Sequence, residues 1–317
     1  MIDLVALPGS QHIGRLRAEN PPLPLSVVVT DQSATEVSEQ IRRLVAAGWV
    51  RELLVRGDKD LSLLNKVVEA GRLSGRRFRV VSGLPLTSLP PAQGGEVWRE
   101  ESHEGSHSWV LLPPQRALWA LAAKRLVDIL GALVLLIALL PVFLAIALAV
   151  KVSSEGPVFY AWRVLGHNGR PFVGFKFRTM VRGADSLKSQ LSHLNERKGP
   201  VFKMSRDPRV TYIGRWLRKH SLDELPQLWS VLVGDMSLVG PRPAFASEYA
   251  NYELWQMRRL SVTPGLSCLW QLDGRRTMND FSEWARLDLQ YIDSWSLRND
   301  FLILWRTPLA VIKGTGH

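Results

Sequence analysis

Ile129 to Val150 reads ILGALVLLIALLPVFLAIALAV, twenty-two residues without a charge. As one straight helix it would rise roughly 33 Å, enough to cross a bilayer. It would be apolar on every face, which the packed helix of a soluble domain rarely is. It starts too far along the chain to be a signal peptide. Pro141 stands near its centre, where a proline removes a backbone donor and kinks a helix. Both flanks are basic, with Lys124 and Arg125 before the run and Lys151 and Arg163 after it. Positive charge favours the cytoplasmic side. A broken apolar segment with two cytoplasmic ends is a re-entrant hairpin, here placed at 122–154; a single kinked crossing is the competing reading. Asp128 stands at the lip of the run, with Lys124 and Arg125 as its expected partners at i−4 and i−3 on one helical face.

The charge is divided unevenly around this segment. The 317 residues carry a net +11, of which residues 121–317 hold +10 and residues 1–120 only +1. A basic half beside an apolar run suits anionic lipid or a phosphorylated substrate. Nucleic acid would account for the charge alone, and no nucleic-acid-binding module is legible. The single cysteine, Cys268, excludes an intrachain disulfide framework and any metal site built from several cysteines of this chain.

Ahead of the apolar run, Leu25–Thr30, Glu52–Val55 and Phe78–Val81 read as strands. Helices are expected over about 34–47, opened by the capping-box spacing Ser33 to Glu36, and over 61–70. That rhythm predicts a small Rossmann-like α/β domain over 1–82. No glycine-rich dinucleotide fingerprint follows any of the strands, so a regulatory or dimerising role is expected there. Residues 83–121, with Pro85, Pro90, Pro91, Gly94 and Gly95, read as a linker.

Chemistry-bearing strings crowd into 155–317. Lys176 and Arg178 alternate in an extended stretch, Lys176-Phe177-Arg178-Thr179-Met180, on one side of the chain. Ser221-Leu222-Asp223-Glu224 has the spacing of a second capping box. Asp223 and Glu224 are then either ordinary first-turn acids or a carboxylate pair able to hold Mg²⁺, one of them a nucleophile toward phosphorus. Gly234 to Pro243 forms a fixed loop from which Arg242 projects between two prolines, a guanidinium fork for phosphate. Arg275 and Arg276 sit on a further rigid basic loop. Trp284, Leu287, Tyr291 and Trp295 recur at helical spacing. Phe301 and Trp305 follow, and aromatic residues beside basic ones suit a headgroup layer as well as a core.

Taken together, Lys124-Arg125 with Asp128, Gly156-Pro157-Val158, Lys176–Met180, Ser221–Gln227, Gly234–Pro243, Pro264-Gly265-Leu266 with Trp270-Gln271, and Tyr291-Ile292 with Trp295-Ser296-Leu297 and Asp300 resemble the bacterial sugar transferase family. These are the monotopic polyprenyl-phosphate phosphoglycosyl transferases, and the resemblance covers about 122–313. It implies a mainly helical α+β catalytic domain held by a re-entrant helix on the cytoplasmic face of the inner membrane. It also implies transfer of sugar-1-phosphate from a UDP-sugar to undecaprenyl phosphate with release of UMP, as the first step of exopolysaccharide, capsule or O-antigen repeat-unit synthesis. By the match Asp223 is the nucleophile, Glu224 its partner, and Mg²⁺ the cofactor. Lys176, Arg178, Arg242, Arg275 and Arg163 become expected phosphate or nucleotide contacts. Lys124, Arg125, Asp128, Pro141 and Pro157 become membrane-interface residues, with Pro141 at the bend. Relatives carry an arginine at the place of Val164; here Arg163 stands one residue earlier. The front part resembles the soluble domain of longer relatives in shortened form, and a homodimer is a reasonable state for it. A non-catalytic membrane scaffold of polysaccharide assembly is the alternative, and the intact Asp223-Glu224 pair and Arg242 argue against it.

Overall fold

The computed structural model describes residues 4–6, 26–28, 42, 52–56, 68–69, 72, 77–81, 86–92, 96–103, 106–112, 116–273 and 280–314. They fall into two compact units: 1–117 with 250–261, and 118–249 with 262–317.

The first unit is built on a six-stranded sheet. β1 (Leu4–Ala6), β2 (Ser26–Val28), β3 (Glu52–Arg56) and β4 (Arg77–Val81) run parallel in sequential order. Of the helices expected between them, residues 42 and 68–69 are helical, and the rest lies outside the described residues, as does the Ser33–Glu36 spacing. The expected linker is corrected here. Val97–His103 (β5) and Ser106–Leu112 (β6) form a hairpin, and β6 pairs antiparallel with β4. Val110, Leu111 and Leu112 are buried, whereas β5 lies at the sheet edge with Val97, Arg99 and Glu100 exposed. An edge strand that polar hides the alternation that marks a half-buried strand.

The second unit opens with α1 (Leu118–Ala138) and α2 (Leu140–Ser153), bent 62° at Leu139. Pro141 is the second residue of α2, where its missing N–H costs nothing and its ring blocks continuation from α1. Among the described residues no single helix is long and apolar enough to cross a membrane. Leu130, Leu133, Val134, Ile137, Leu140, Leu144 and Leu148 are exposed. Each leg nonetheless docks on the same body. Ala132 of α1 is buried against Leu228, Val231 and Leu238. Ile146 and Val150 of α2 are buried against Phe177 and Leu217.

The polar feet of the pair are used differently from the sequence expectation. Asp128 is buried and accepts from Ser237 Oγ (3.0 Å) and the Leu238 amide (2.8 Å). Lys124 donates to Asp300 Oδ2 at 2.7 Å and to the Val239 carbonyl at 3.0 Å. Tyr291 and Trp295 complete the shell of Asp300. Arg125 forks onto the carbonyls of Val231 and Leu232, the last turn of α4 (Gln227–Val233), where a cation is favoured. These residues bolt α1 to the globular body with their hydrogen bonds, while Lys124 still acts on Asp128 electrostatically along the helix.

A β-hairpin, β7 (Phe159–Leu165) with β8 (Pro171–Phe177), follows the bent pair. Then come α3 (Tyr212–Lys219), α4, and a parallel pair, β9 (Ser237–Val239) with β10 (Gly265–Ser267). The unit closes with α5 (Phe281–Asp293) and α6 (Leu297–Ile312). β9 lies in the centre of the core with Tyr291, Ile292 and Ile303. The aromatic residues at the end of the chain divide between buried and exposed positions. Trp284 is buried and stacks on Trp270 at 4.3 Å, whereas Phe301, Trp305, Leu309 and Ile312 form an exposed face of α6.

Candidate active site

Asp223 and Glu224 lie on a single 3-10 turn, Leu222–Glu224, wedged between α3 and α4. Ser221 does not cap a helix. It adopts the left-handed conformation (φ 55°, ψ 20°), and its amide donates to the Arg218 carbonyl at 3.1 Å. It therefore ends α3 in the way a terminal glycine commonly does. The spacing from Ser221 to Glu224 matches a capping box, but a helix already ends at that serine. A non-glycine residue held at positive φ is strained, and here the strain folds the chain back so that Asp223 is buried beside the end of α3.

Three cations surround the pair. Lys176 at the end of β8 donates to Glu224 Oε1 at 2.9 Å. Burial is the largest influence on its ammonium and pushes its pKa down. Glu224 pulls it back up, Arg242 presses it down, and Asp223 raises it. Arg218, on the last turn of α3, donates Nε to Thr179 Oγ1 at 2.9 Å. Burial lowers its pKa, against the attraction of Asp223 and then of Asp207. Arg242 lies within electrostatic reach of both Lys176 and Arg218 and is half-buried.

The backbone that holds these groups is tightly determined. Thr211 caps α3 by accepting from the Gly214 amide at 3.0 Å. Gly214 rests on the Thr179 backbone so closely that a Cβ would stand 2.1 Å from the Thr179 carbonyl oxygen. That contact fixes α3, and Arg218 with it, against the chain leaving β8. The Arg242 loop is held by the Pro-Gly turn, which the sequence leaves as a separate loop. The Gly265 amide donates to the Pro241 carbonyl at 2.8 Å, and the Gly240 amide to Ser267 at 3.0 Å. A Cβ on Gly265 would stand 2.0 Å from the Gly240 nitrogen. Asp207 and Arg209 form a buried ion pair (2.7 Å) within electrostatic reach of Arg218. Hydrogen bonding from Arg209 holds the Asp207 carboxyl below its usual range.

The structure thus brings together Asp223, Glu224, Lys176 and Arg242 from the sequence expectation. It adds Arg218, which nothing in the sequence separates from its basic neighbours Arg215 and Lys219. Two of the expected contacts lie apart from this cluster. Arg178 is buried at the end of α2 and the loop that follows it, where it donates to the carbonyls of Val150, Ser154 and Pro157 and to Ser154 Oγ. It lies just past the end of β8, so strict alternation no longer aligns it with Lys176. Pro157 is accordingly a ligand of Arg178. Arg163 is exposed on β7, on the opposite face from the buried Trp162 and Val164, because a one-residue shift turns a side chain to the other side of a strand. Arg275 lies outside the described residues.

The sequence profile of the bacterial sugar transferase family matches residues 119–314. The chain belongs to the bacterial sugar transferase family. The galactosyl transferase CpsE of Streptococcus agalactiae serotype III is 45% identical over 62% of this chain and 43% of its own length. The exopolysaccharide production protein ExoY of Rhizobium meliloti is 43% identical over 61% of this chain and 87% of its own. The undecaprenyl-phosphate galactose phosphotransferase of Salmonella typhimurium is 37% identical over 73% of this chain and 50% of its own. The chain therefore spans less than half of CpsE and most of ExoY. The family match covers α1 to α6 and includes every residue of the Asp223 cluster.

Among the described residues no group of three or more His, Cys, Asp or Glu gathers to hold a metal. The donor set is a pair of adjacent carboxylates. That fits a Mg²⁺ bound through one or two carboxylates together with substrate phosphates.

Proposed function

We propose that this sugar transferase moves sugar-1-phosphate from a UDP-sugar to undecaprenyl phosphate and releases UMP. The observation that carries the reading is the buried Asp223 carboxylate, set beside Glu224 among Lys176, Arg218 and Arg242. Similarity to the undecaprenyl-phosphate galactose phosphotransferase of Salmonella supports the substrate class.

Asp223 attacks the phosphorus attached to the sugar. A bond forms from its carboxylate oxygen to that phosphorus, the phosphoanhydride bond to UMP breaks, and a covalent aspartyl-phosphosugar results. An oxygen of undecaprenyl phosphate then attacks the same phosphorus and frees the carboxylate. Lys176, Arg218 and Arg242 stabilise charge on the transferring phosphoryl oxygens. Among the described residues the Nε bond to Thr179 is the hydrogen bond Arg218 makes, so its terminal nitrogens suit an anion. Glu224 holds Lys176 in place. Asp223 and Glu224 would hold Mg²⁺ with the diphosphate, and the ion would neutralise charge on the leaving nucleotide.

The lipid acceptor requires a membrane-seated enzyme. The two legs of the bent pair dock on one body, whereas a crossing would separate their ends by roughly 30 Å. That supports insertion into the cytoplasmic leaflet and return, with the exposed face of α6 in the headgroup layer. The test is UMP release by purified protein with Mg²⁺, undecaprenyl phosphate and a panel of UDP-sugars. Turnover with at least one sugar is expected. No release with any sugar nucleotide would refute the reading.

A further inference from the structure

Trp162 is buried on β7, and its ring lies under the Lys176 ammonium, 4.0 Å from nitrogen to ring centroid. The indole N–H has no hydrogen-bond partner among the described residues, so the ring is not held there by its donor. Its position comes from what flanks its faces and edges. Directly opposite on β8 is Gly174, where a Cβ would stand 2.5 Å from the indole nitrogen. The missing side chain at 174 lets the indole lie across β8 and reach Lys176, two residues further along the same face. Phe245 packs edge-on against the ring at 5.4 Å. Phe245 lies three residues beyond Arg242, and the bridge from the Leu165 amide to the Ala244 carbonyl (2.8 Å) ties that loop to β7. Trp162 thus touches the ammonium of one phosphate-facing cation and the segment that carries another.

We propose that Trp162 is a positioning residue. Its π face replaces water around the Lys176 ammonium, aims that group at Glu224, and sets the spacing between Lys176 and the Arg242 loop. An ammonium this enclosed gives up much of its hydration, and an electron-rich ring face is one of the few apolar surfaces that returns part of the loss. The groups facing Lys176 are Glu224, Asp223 and Arg242. The ring offsets the repulsion from Arg242 without adding a second anion that would compete for the ammonium. The inference rests on the phosphoglycosyl transfer proposed above.

The test places 5-fluoro-, difluoro- and trifluorotryptophan at position 162 by site-specific incorporation. Fluorine drains the ring face with little change in shape. The expected result is a stepwise fall in kcat/KM with each added fluorine, reaching about tenfold. Trp162→Phe should retain more activity than Trp162→Leu, and Gly174→Ala should resemble Trp162→Leu because it displaces the ring. A flat fluorine series with active wild-type enzyme overturns the proposal, since a merely space-filling ring would be indifferent to fluorine. Equal activity of the Phe and Leu variants does the same. A wild-type enzyme inactive with every sugar nucleotide would instead refute the transfer reaction itself.

Discussion

Two sets of basic residues in the second unit look alike in sequence and do opposite things. Lys124, Arg125 and Arg178 stand at the feet of the bent helices, and each is engaged by acceptors of the protein itself. Lys124 binds a buried carboxylate, and both arginines bind backbone carbonyls left open at helix ends. Lys176, Arg218 and Arg242 converge on a carboxylate pair at a strained turn. The first set spends its hydrogen bonds on holding a helix in place. The second concentrates positive charge around Asp223, where the proposed reaction would place a phosphate. Residue type and proximity to a motif do not separate the two sets; the acceptors each reaches do.

The largest effect should come at the centre of the second set. Asp223→Asn is expected to lower turnover by about four orders of magnitude or more, with unchanged recovery in the membrane fraction. Assay of UMP release alongside membrane flotation checks both halves. Arg242→Ala and Arg218→Ala should each reduce kcat/KM about a hundredfold while the melting temperature holds nearly constant. Arg178→Ala should reverse that pattern. Leaving its carbonyls without their cation is expected to cost about 2–3 kcal/mol of stability, with kcat per folded molecule nearly preserved. Denaturant unfolding in detergent, paired with active-site titration, would separate the cases. If Arg178→Ala lost activity without losing stability, the division between the two sets would collapse.

The smallest effect concerns acid. The Asp207 carboxyl is held below its usual value, chiefly by hydrogen bonding from Arg209. A depressed carboxylate adds stability above the unfolded pKa of about 3.9, and that stability is lost as pH falls through the lower folded value. Wild type should therefore lose melting temperature more steeply below pH 4 than Asp207→Asn.

The sequence made the outline of this arrangement legible, because the features that carry it are chemically extreme. A charge-free run with a central proline specifies a bent apolar segment, and the break falls two residues from Pro141. Adjacent acids before a Leu-Pro-Gln and an arginine between prolines mark the site. The failures share one cause: local pattern does not report tertiary partners. Arg178 keeps the alternation of Lys176, but the strand ends between them. Ser221 keeps the spacing of a cap, but it closes the preceding helix. The β5–β6 hairpin is polar because one strand is an edge. Arg218 had no signal beyond its place at the end of a helix, and its importance comes from Gly214 seating that helix on Thr179.

The central claim is that Asp223 carries the phosphosugar between donor and lipid. Intact-protein and peptide mass spectrometry, after mixing enzyme, Mg²⁺ and the cognate UDP-sugar without undecaprenyl phosphate, tests it most directly. The expected result is one phosphosugar adduct per chain on Asp223, matched by one equivalent of UMP, and its loss when the lipid phosphate is added. An adduct on another residue, or full turnover by Asp223→Asn, would contradict the account.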